Sequence, residues 1–129
     1  MQIYYFTRTN RSKKIAETLA ARYGVTAQKI DDGKSWSGAI GFIKAGFMSV
    51  NKKELPARYA EPDAHEPIIL VFPVWADTFP PAVKTFIDAV GRSRITAVPT
   101  SLSSTIKHSA GFAKVIDLVG KEISAPEDL

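Results

Sequence analysis

The sequence predicts an α/β domain built on a parallel sheet, and three observations carry that expectation. Strand-like and helix-like segments alternate along the chain, as strand–helix–strand crossovers require. Residues 68–72 (Ile-Ile-Leu-Val-Phe) form an unbroken apolar run, the pattern of a strand buried on both faces of a sheet. The length, 129 residues, suits one domain with a single buried core, and no internal repeat or low-complexity stretch divides it.

The elements follow in order. Residues 2–6 are rich in β-branched and aromatic residues and predict the first strand. After a polar turn, Ile15, Ala16, Leu19, Ala20 and Tyr23 recur at helical spacing, and Gly24 closes that helix as its C′ residue. Residues 25–30 predict a second strand, ended by Asp31-Asp32-Gly33. Trp36, Ala39, Ile40, Ile43, Phe47 and Val50 share one helical face. Gly38, Gly41 and Gly46 each weaken that helix by about 1 kcal/mol relative to Ala, a cost that close packing would explain. Residues 52–67 are a polar, proline-punctuated connection to the central strand, 68–72. Pro81 opens the next helix, with Val83, Phe86, Ile87 and Val90 on its apolar face and Gly91 as its stop. Residues 95–98 predict a fourth strand. Beyond it, Phe112, Val115, Ile116, Val119 and Ile123 keep helical spacing, with Lys114, Asp117 and Lys121 on the other face. A helix is therefore expected there, a strand over 115–119 being the alternative.

Composition narrows the chemistry. Hydrophobic residues are 45% and charged residues 23%, ordinary for a folded globular chain. The longest apolar run, 67–76, is far short of the roughly 20 residues of a membrane-spanning helix and contains two prolines. The N-terminus reaches Arg8 without the apolar core of a signal peptide, so a cytoplasmic address is expected. The absence of cysteine excludes disulfides, thiolate metal sites and cysteine nucleophiles, and His65 and His108 alone do not make a zinc site. A net charge of +4 is only mildly basic. Lys13-Lys14 and Lys52-Lys53 lack the aromatic platform of a nucleic-acid surface, so no nucleic-acid partner is expected.

Three loops follow predicted parallel strands and should converge at the carboxyl edge of the sheet, where open α/β sheets bind ligands. The first is hydroxyl-rich and runs into a helix. Thr7, Thr9 and Ser12 can donate hydroxyl hydrogen bonds while the helix N-terminus presents free N–H groups, a combination suited to phosphate. Asn10 tolerates a left-handed conformation if the turn requires one. A helix cap made of hydroxyls is the plainer explanation of the same residues. The second loop carries Trp75, which either packs into the core or stacks on a flat conjugated ligand. The third begins at Thr100. No P-loop and no Gly-x-Gly-x-x-Gly fingerprint occurs.

The run Tyr5-Phe6-Thr7-Arg8-Thr9-Asn10-Arg11-Ser12 resembles the first strand and FMN phosphate loop of the flavodoxin-like family. Ile40-Gly41-Phe42-Ile43-Lys44-Ala45-Gly46-Phe47 is similar to the second helix of a bacterial branch of that family. Pro73-Val74-Trp75-Ala76, followed by Pro80-Pro81-Ala82-Val83-Lys84-Thr85-Phe86, looks like its isoalloxazine loop and the helix after it. The resemblance spans essentially the whole chain. It implies a three-layer sandwich with a parallel sheet of order 2-1-3-4 and a fifth strand short or missing. It further implies FMN as cofactor and electron transfer to a redox partner protein. Thr7, Arg8, Thr9, Asn10, Arg11 and Ser12 would hold the phosphate. Pro73, Val74, Trp75, Ala76, Asp77 and Thr78 would line the ring, and Thr100, Ser101, Leu102 and Ser103 would form the third contact.

Three features depart from the family pattern. Asn10 stands where the family usually has glycine, Leu102-Ser103 replaces a small glycine pair and would narrow the ring site, and the last strand–helix unit is cut short. The fourth strand would then be an open edge unless the tail covers it or a second copy of the chain does, as a homodimer. Two other functions compete with an electron carrier. One is a flavin-dependent NAD(P)H or quinone reductase, for which no separate dinucleotide fingerprint is present. The other is a flavodoxin-like scaffold without FMN that serves as an interaction module.

Overall fold

The computed structural model describes residues 1–32, 57–107 and 109–129. The helix expected over 36–50, with the second-helix resemblance at 40–47, and His108 lie outside the described residues. The described elements are β1 (Gln2–Tyr5), α1 (Arg11–Tyr23), β2 (Gln28–Lys29), β3 (Ile68–Pro73), α2 (Pro81–Val90), β4 (Ile95–Ser101), β5 (Lys114–Val115) and β6 (Leu118–Val119). The sheet order is β2-β1-β3-β4-β5, with β6 also paired to β4, and every pairing is parallel.

Alternation along the central strands divides the core between the two faces. Tyr4, Ile68, Leu70, Phe72 and Ala97 pack with Val83, Phe86 and Ile87 of α2. Ile3, Tyr5, Ile69, Val71 and Val98 pack with Ile15, Ala16, Leu19 and Ala20 of α1 on the opposite face. Residues 68–72 are all fully buried, because helices cover both sides of β3. The result is the expected helix–sheet–helix sandwich.

The helix ends follow the sequence signals. Gly24, at φ 65°, lets its own N–H reach the Ala21 carbonyl (3.3 Å) and the Val25 N–H reach that of Ala20 (3.0 Å). That pair of bonds is a Schellman closure, and it takes Val25 out of the second strand, which pairs only over Gln28–Lys29 rather than 25–30. Pro81 opens α2, and the Gly91 N–H closes it on the Ile87 carbonyl at 2.8 Å.

β4 is longer than expected, continuing through Pro99 to Ser101. After it the structure departs from the favoured helix. Residues 114–119 lie extended along β4 in one register, Thr96 opposite Lys114, Ala97 opposite Val115, Thr100 opposite Leu118 and Ser101 opposite Val119. The ladder is interrupted opposite Val98 and Pro99. The carbonyls of Ile95, Ala97 and Ser101 accept from the tail at 2.9 Å, so alternation turns Pro99 to the same side, where it has no N–H to offer. Two forces override the helical spacing: Val115, Ile116, Val119 and Ile123 are β-branched, and an unpaired β4 would leave a row of peptide groups without partners. The tail therefore covers the β4 edge. Its last residues cross the α1 face, where Leu118, Ile123 and Leu129 pack on the core and Ala125 is buried within it. Arg22 donates to the Pro126 and Leu129 carbonyls, and Lys114 pairs with Asp128 at 3.0 Å.

Candidate functional site

The carboxyl ends of β1, β3 and β4 enclose a cleft of about 690 Å³. Thr7, Arg8, Thr9, Arg11 and Ser12 line it from the first loop, Pro73, Val74 and Trp75 from the second, and Thr100 to Ser104 from the third. β1 lies between β2 and β3, so the cleft opens where successive connections leave the sheet in opposite directions. Three segments distant in sequence meet there because three parallel strands end side by side.

The first loop is built around an exposed helix terminus. Asn10 has φ 67° and makes no side-chain cap, and the Lys14 N–H to Asn10 carbonyl bond (3.1 Å) is the first of α1. The amides of Arg11, Ser12 and Lys13 precede that bond and keep their donors outside the helical ladder. The first turn contains no acidic residue and begins with Arg11, so nothing in it offsets the positive end of the helix dipole. Thr7 Oγ1 is buried and has no hydrogen-bond partner. A buried hydroxyl without a partner costs about 1–3 kcal/mol, and an acceptor entering the cleft would recover it.

Ser12 and Thr100 serve a different purpose. Both are buried, their hydroxyls lie 3.0 Å apart, and Thr100 Oγ1 also donates to the Phe72 carbonyl at 3.4 Å. With the Thr100 proton on Phe72, the Ser12 proton must go to Thr100, so Ser12 ties α1 to the sheet rather than donating into the cleft. Arg11 donates to the Gly120 carbonyl, and the Gly120 N–H reaches the Ser101 carbonyl at 2.9 Å. The tail thereby joins the first and third loops.

In the second loop, the N–H and carbonyl of Trp75 pair reciprocally with those of Thr78, both at 2.9 Å. Between them Ala76 (φ 50°) and Asp77 (φ 62°) are both left-handed, as in a type I′ turn, here without the usual glycine. Trp75 is half-buried; the Phe6 ring meets it near-perpendicularly at 5.6 Å and the Arg8 guanidinium lies over it at 5.0 Å. Leu102 is 67% exposed, so its side chain stands at the rim instead of filling the cleft.

Twelve of the sixteen residues expected at the site line this cleft. Asn10 instead lines a smaller cavity of about 210 Å³ on the β2 side, with Lys29, Asp31 and Asp32. Ala76, Asp77 and Thr78 form the turn beyond Trp75, and Asp77 pairs with Lys107 at 3.6 Å. Ser104 lines the cleft without having been among the expected residues; its N–H donates to Ser101 Oγ at 3.1 Å. The Ser-x-x-Ser spacing was the available signal, since a serine hydroxyl commonly closes a short turn on a following amide. Among the described residues no cluster of three His, Asp or Glu side chains could hold a metal ion, and no helix is long and apolar enough to cross a membrane.

No protein-family model and no curated protein matches the sequence. Solved structures do match in shape. A flavoprotein from Lactobacillus acidophilus, determined in complex with FMN, superposes with a TM-score of 0.60 at 15% identity, over 92% of this chain and 90% of that one. A protein from Bacteroides uniformis, provisionally named a flavoprotein, gives 0.56 at 20% identity, over 94% and 90% of the two chains. Another so named, from Bacteroides eggerthii, gives 0.54 at 18% identity, over 92% and 84%. The shared architecture is the flavodoxin-like fold.

Proposed function

We propose that the cleft binds FMN, with its phosphate at residues 7–12 and its ring system against Trp75, and that the chain carries electrons through it to a partner protein. The observation that carries this reading is the buried, unpartnered Thr7 hydroxyl beside a helix terminus that no acidic residue offsets, in the same cleft as Trp75. An oxyanion satisfies the hydroxyl, the open amides of α1 and the helix dipole together. A planar ring satisfies the aromatic wall. FMN offers both groups on one molecule, and the solved flavoprotein of the same fold contains it.

Bound FMN supplies redox chemistry of one or two electrons, and the protein sets its environment. Arg8 and Arg11 hold the phosphate end and place positive charge beside the ring site. Pro73, Val74 and Trp75 exclude water from one side of the ring, and the Ser12–Thr100 bond keeps the two halves of the cleft in register. The described lining presents hydroxyls and guanidinium groups, with no carboxylate, imidazole or amine to act as a general acid or base.

The test is the visible spectrum of the protein after addition of excess FMN and desalting. Flavin absorption that stays with the protein is expected, and a colourless protein overturns the reading. The charge of +4 and the two arginines should also make the fully reduced flavin easier to form than in acidic relatives. Redox titration at low ionic strength, where screening is weakest, would show this as a less negative potential for the second electron. The same charge steers docking towards a partner with an acidic face.

A further inference from the structure

Arg11 is a cation in an unfavourable place. It opens α1, where the helix dipole is already positive, and the first turn supplies no acidic residue. The side chain lines the cleft, and among the described residues it has no carboxylate partner. It donates instead to one neutral group, the Gly120 carbonyl, 109 positions along the chain. An arginine carries several N–H donors, so a single carbonyl leaves others unspent.

Gly120 is held on both sides. Its N–H donates to the Ser101 carbonyl at 2.9 Å, its carbonyl takes Arg11, and its φ is 131°. At that angle a side chain is strained whatever the room around it, and there is room: the nearest atom a Cβ would meet is the Glu122 carbonyl oxygen, at an ordinary 3.7 Å. The need for glycine is thus one of backbone conformation. That conformation comes directly after the pairing of Val119 with Ser101 and sets the carbonyl on Arg11.

We propose that Gly120 is a positioning residue: by accepting from Arg11 it fixes the guanidinium at the phosphate end of the cleft before a ligand arrives. The inference rests on the cleft taking FMN. Ordering a long arginine side chain on an anion normally costs rotamer freedom at the moment of binding. Here the tail has ordered the side chain during folding, and the partial negative charge of the carbonyl offsets part of the repulsion between Arg11 and the helix terminus. The N–H groups that Gly120 does not use are left for an oxyanion. The ring of the ligand gains nothing from this arrangement. Only its phosphate does.

The experiment titrates FMN and riboflavin separately into the full chain, Gly120→Ala, Arg11→Ala and the double variant, following flavin fluorescence. FMN binding by the unmodified chain is measured first, and its absence removes the FMN reading itself before any variant is made. Arg11→Ala should weaken FMN about tenfold, the size of one charge-assisted hydrogen bond, and Gly120→Ala about three- to fivefold, with riboflavin unchanged in both. The double variant should bind FMN no more weakly than Arg11→Ala alone, because Gly120 acts only through Arg11. Further loss in the double variant, or weaker riboflavin binding in Gly120→Ala, would make Gly120 a structural residue and overturn the proposal. Unchanged or tighter FMN binding in Gly120→Ala would overturn it equally, the latter by showing that the carbonyl competes with the phosphate. A measurement on the unmodified protein keeps the test independent of how well Gly120→Ala folds. Coupling is reciprocal, so a phosphate on Arg11 must tighten the tail. FMN should slow hydrogen exchange of the Gly120 amide several-fold beyond its effect on the α2 amides, and riboflavin should not. Equal effects of the two ligands at that amide would also overturn the proposal.

Discussion

At the foot of the sheet, where the strands begin, polar groups saturate one another. The Gln2 amide donates to the Asp63 and Glu66 carbonyls at 3.1 and 3.3 Å and accepts from the Asp63 N–H at 2.7 Å. Arg94 donates to the same two carbonyls, and the N-terminal ammonium pairs with Glu66 at 3.0 Å. At the carboxyl edge the balance is reversed. Asn10, Ala76 and Asp77, the three non-glycine residues with positive φ among those described, all lie in its loops. The orphaned Thr7 hydroxyl lies there too. Strain and unmet hydrogen-bonding capacity are held at one end of the molecule, where an incoming ligand can release them, and the other end is finished within the chain itself.

This contrast can be broken most forcefully from the foot. Arg94→Ala removes two charge-assisted hydrogen bonds to the Asp63 and Glu66 carbonyls, to which Gln2 still donates, and should cost about 2 kcal/mol of stability in denaturant titrations, with flavin affinity unchanged. Thr7→Val should do the reverse. It removes a hydroxyl that has no partner in the folded protein, so stability should hold or rise, while FMN affinity falls about tenfold, or 1.4 kcal/mol, by calorimetric titration. A loss of stability in Thr7→Val would show that its hydroxyl is satisfied within the fold.

A smaller gain tests the strain. Ala76→Gly should stabilise the protein by about 0.5–1 kcal/mol in thermal unfolding, because glycine relieves the left-handed penalty by more than it adds to unfolded-state entropy. The same change at a position of ordinary φ would destabilise.

The mildest test is alkaline. Burial, then the Glu61 carboxylate and then Tyr59 hold the Tyr4 phenol above its ordinary value of 10.0, and burial with Glu61 does the same for Tyr59. The unfolded chain therefore releases these protons first, and stability should decline as pH rises from about 10 towards the folded values. Tyr4→Phe removes one of the two groups, so the decline with pH should become shallower. An unchanged slope would mean that Tyr4 does not titrate in that range.

Much of the architecture was legible because the signals were redundant. α1 and α2 each combine periodicity with a residue that ends or opens the element, Gly24 for α1 and Pro81 for α2, and β1 and β3 each carry a run rich in β-branched and aromatic residues. The order of the first four strands followed from the family resemblance. What escaped the sequence was set by distant partners. Val25 looks like a strand residue but spends its N–H closing α1, and Pro99, just past the strand expected over 95–98, lies within β4 and faces the gap in the tail ladder. Residues 112–123 have helical spacing, and only the open edge of β4 decides that they extend. The site was read in the same measure. Thr7 and Trp75 could be singled out from the loops that carry them, and Arg8 only from the family resemblance. The diversion of Ser12 to Thr100, and the placing of Arg8 over Trp75, depend on the packing of strands that no local pattern encodes.

The tail that covers β4 has a consequence for the order of assembly. Arg11 finds Gly120 across 109 positions of sequence, and Arg22 finds Pro126 across 104. Contacts so far apart close large loops, which is entropically costly and slow, whereas the pairing of β1 with β3 and of β3 with β4 spans shorter stretches. The first and third cleft loops therefore receive their shared anchor late in folding, after the central sheet has formed around them. Contacts made after the folding barrier act chiefly on the unfolding rate. A ligand lodged in the cleft should accordingly lengthen the lifetime of the native state while leaving the speed of refolding almost untouched.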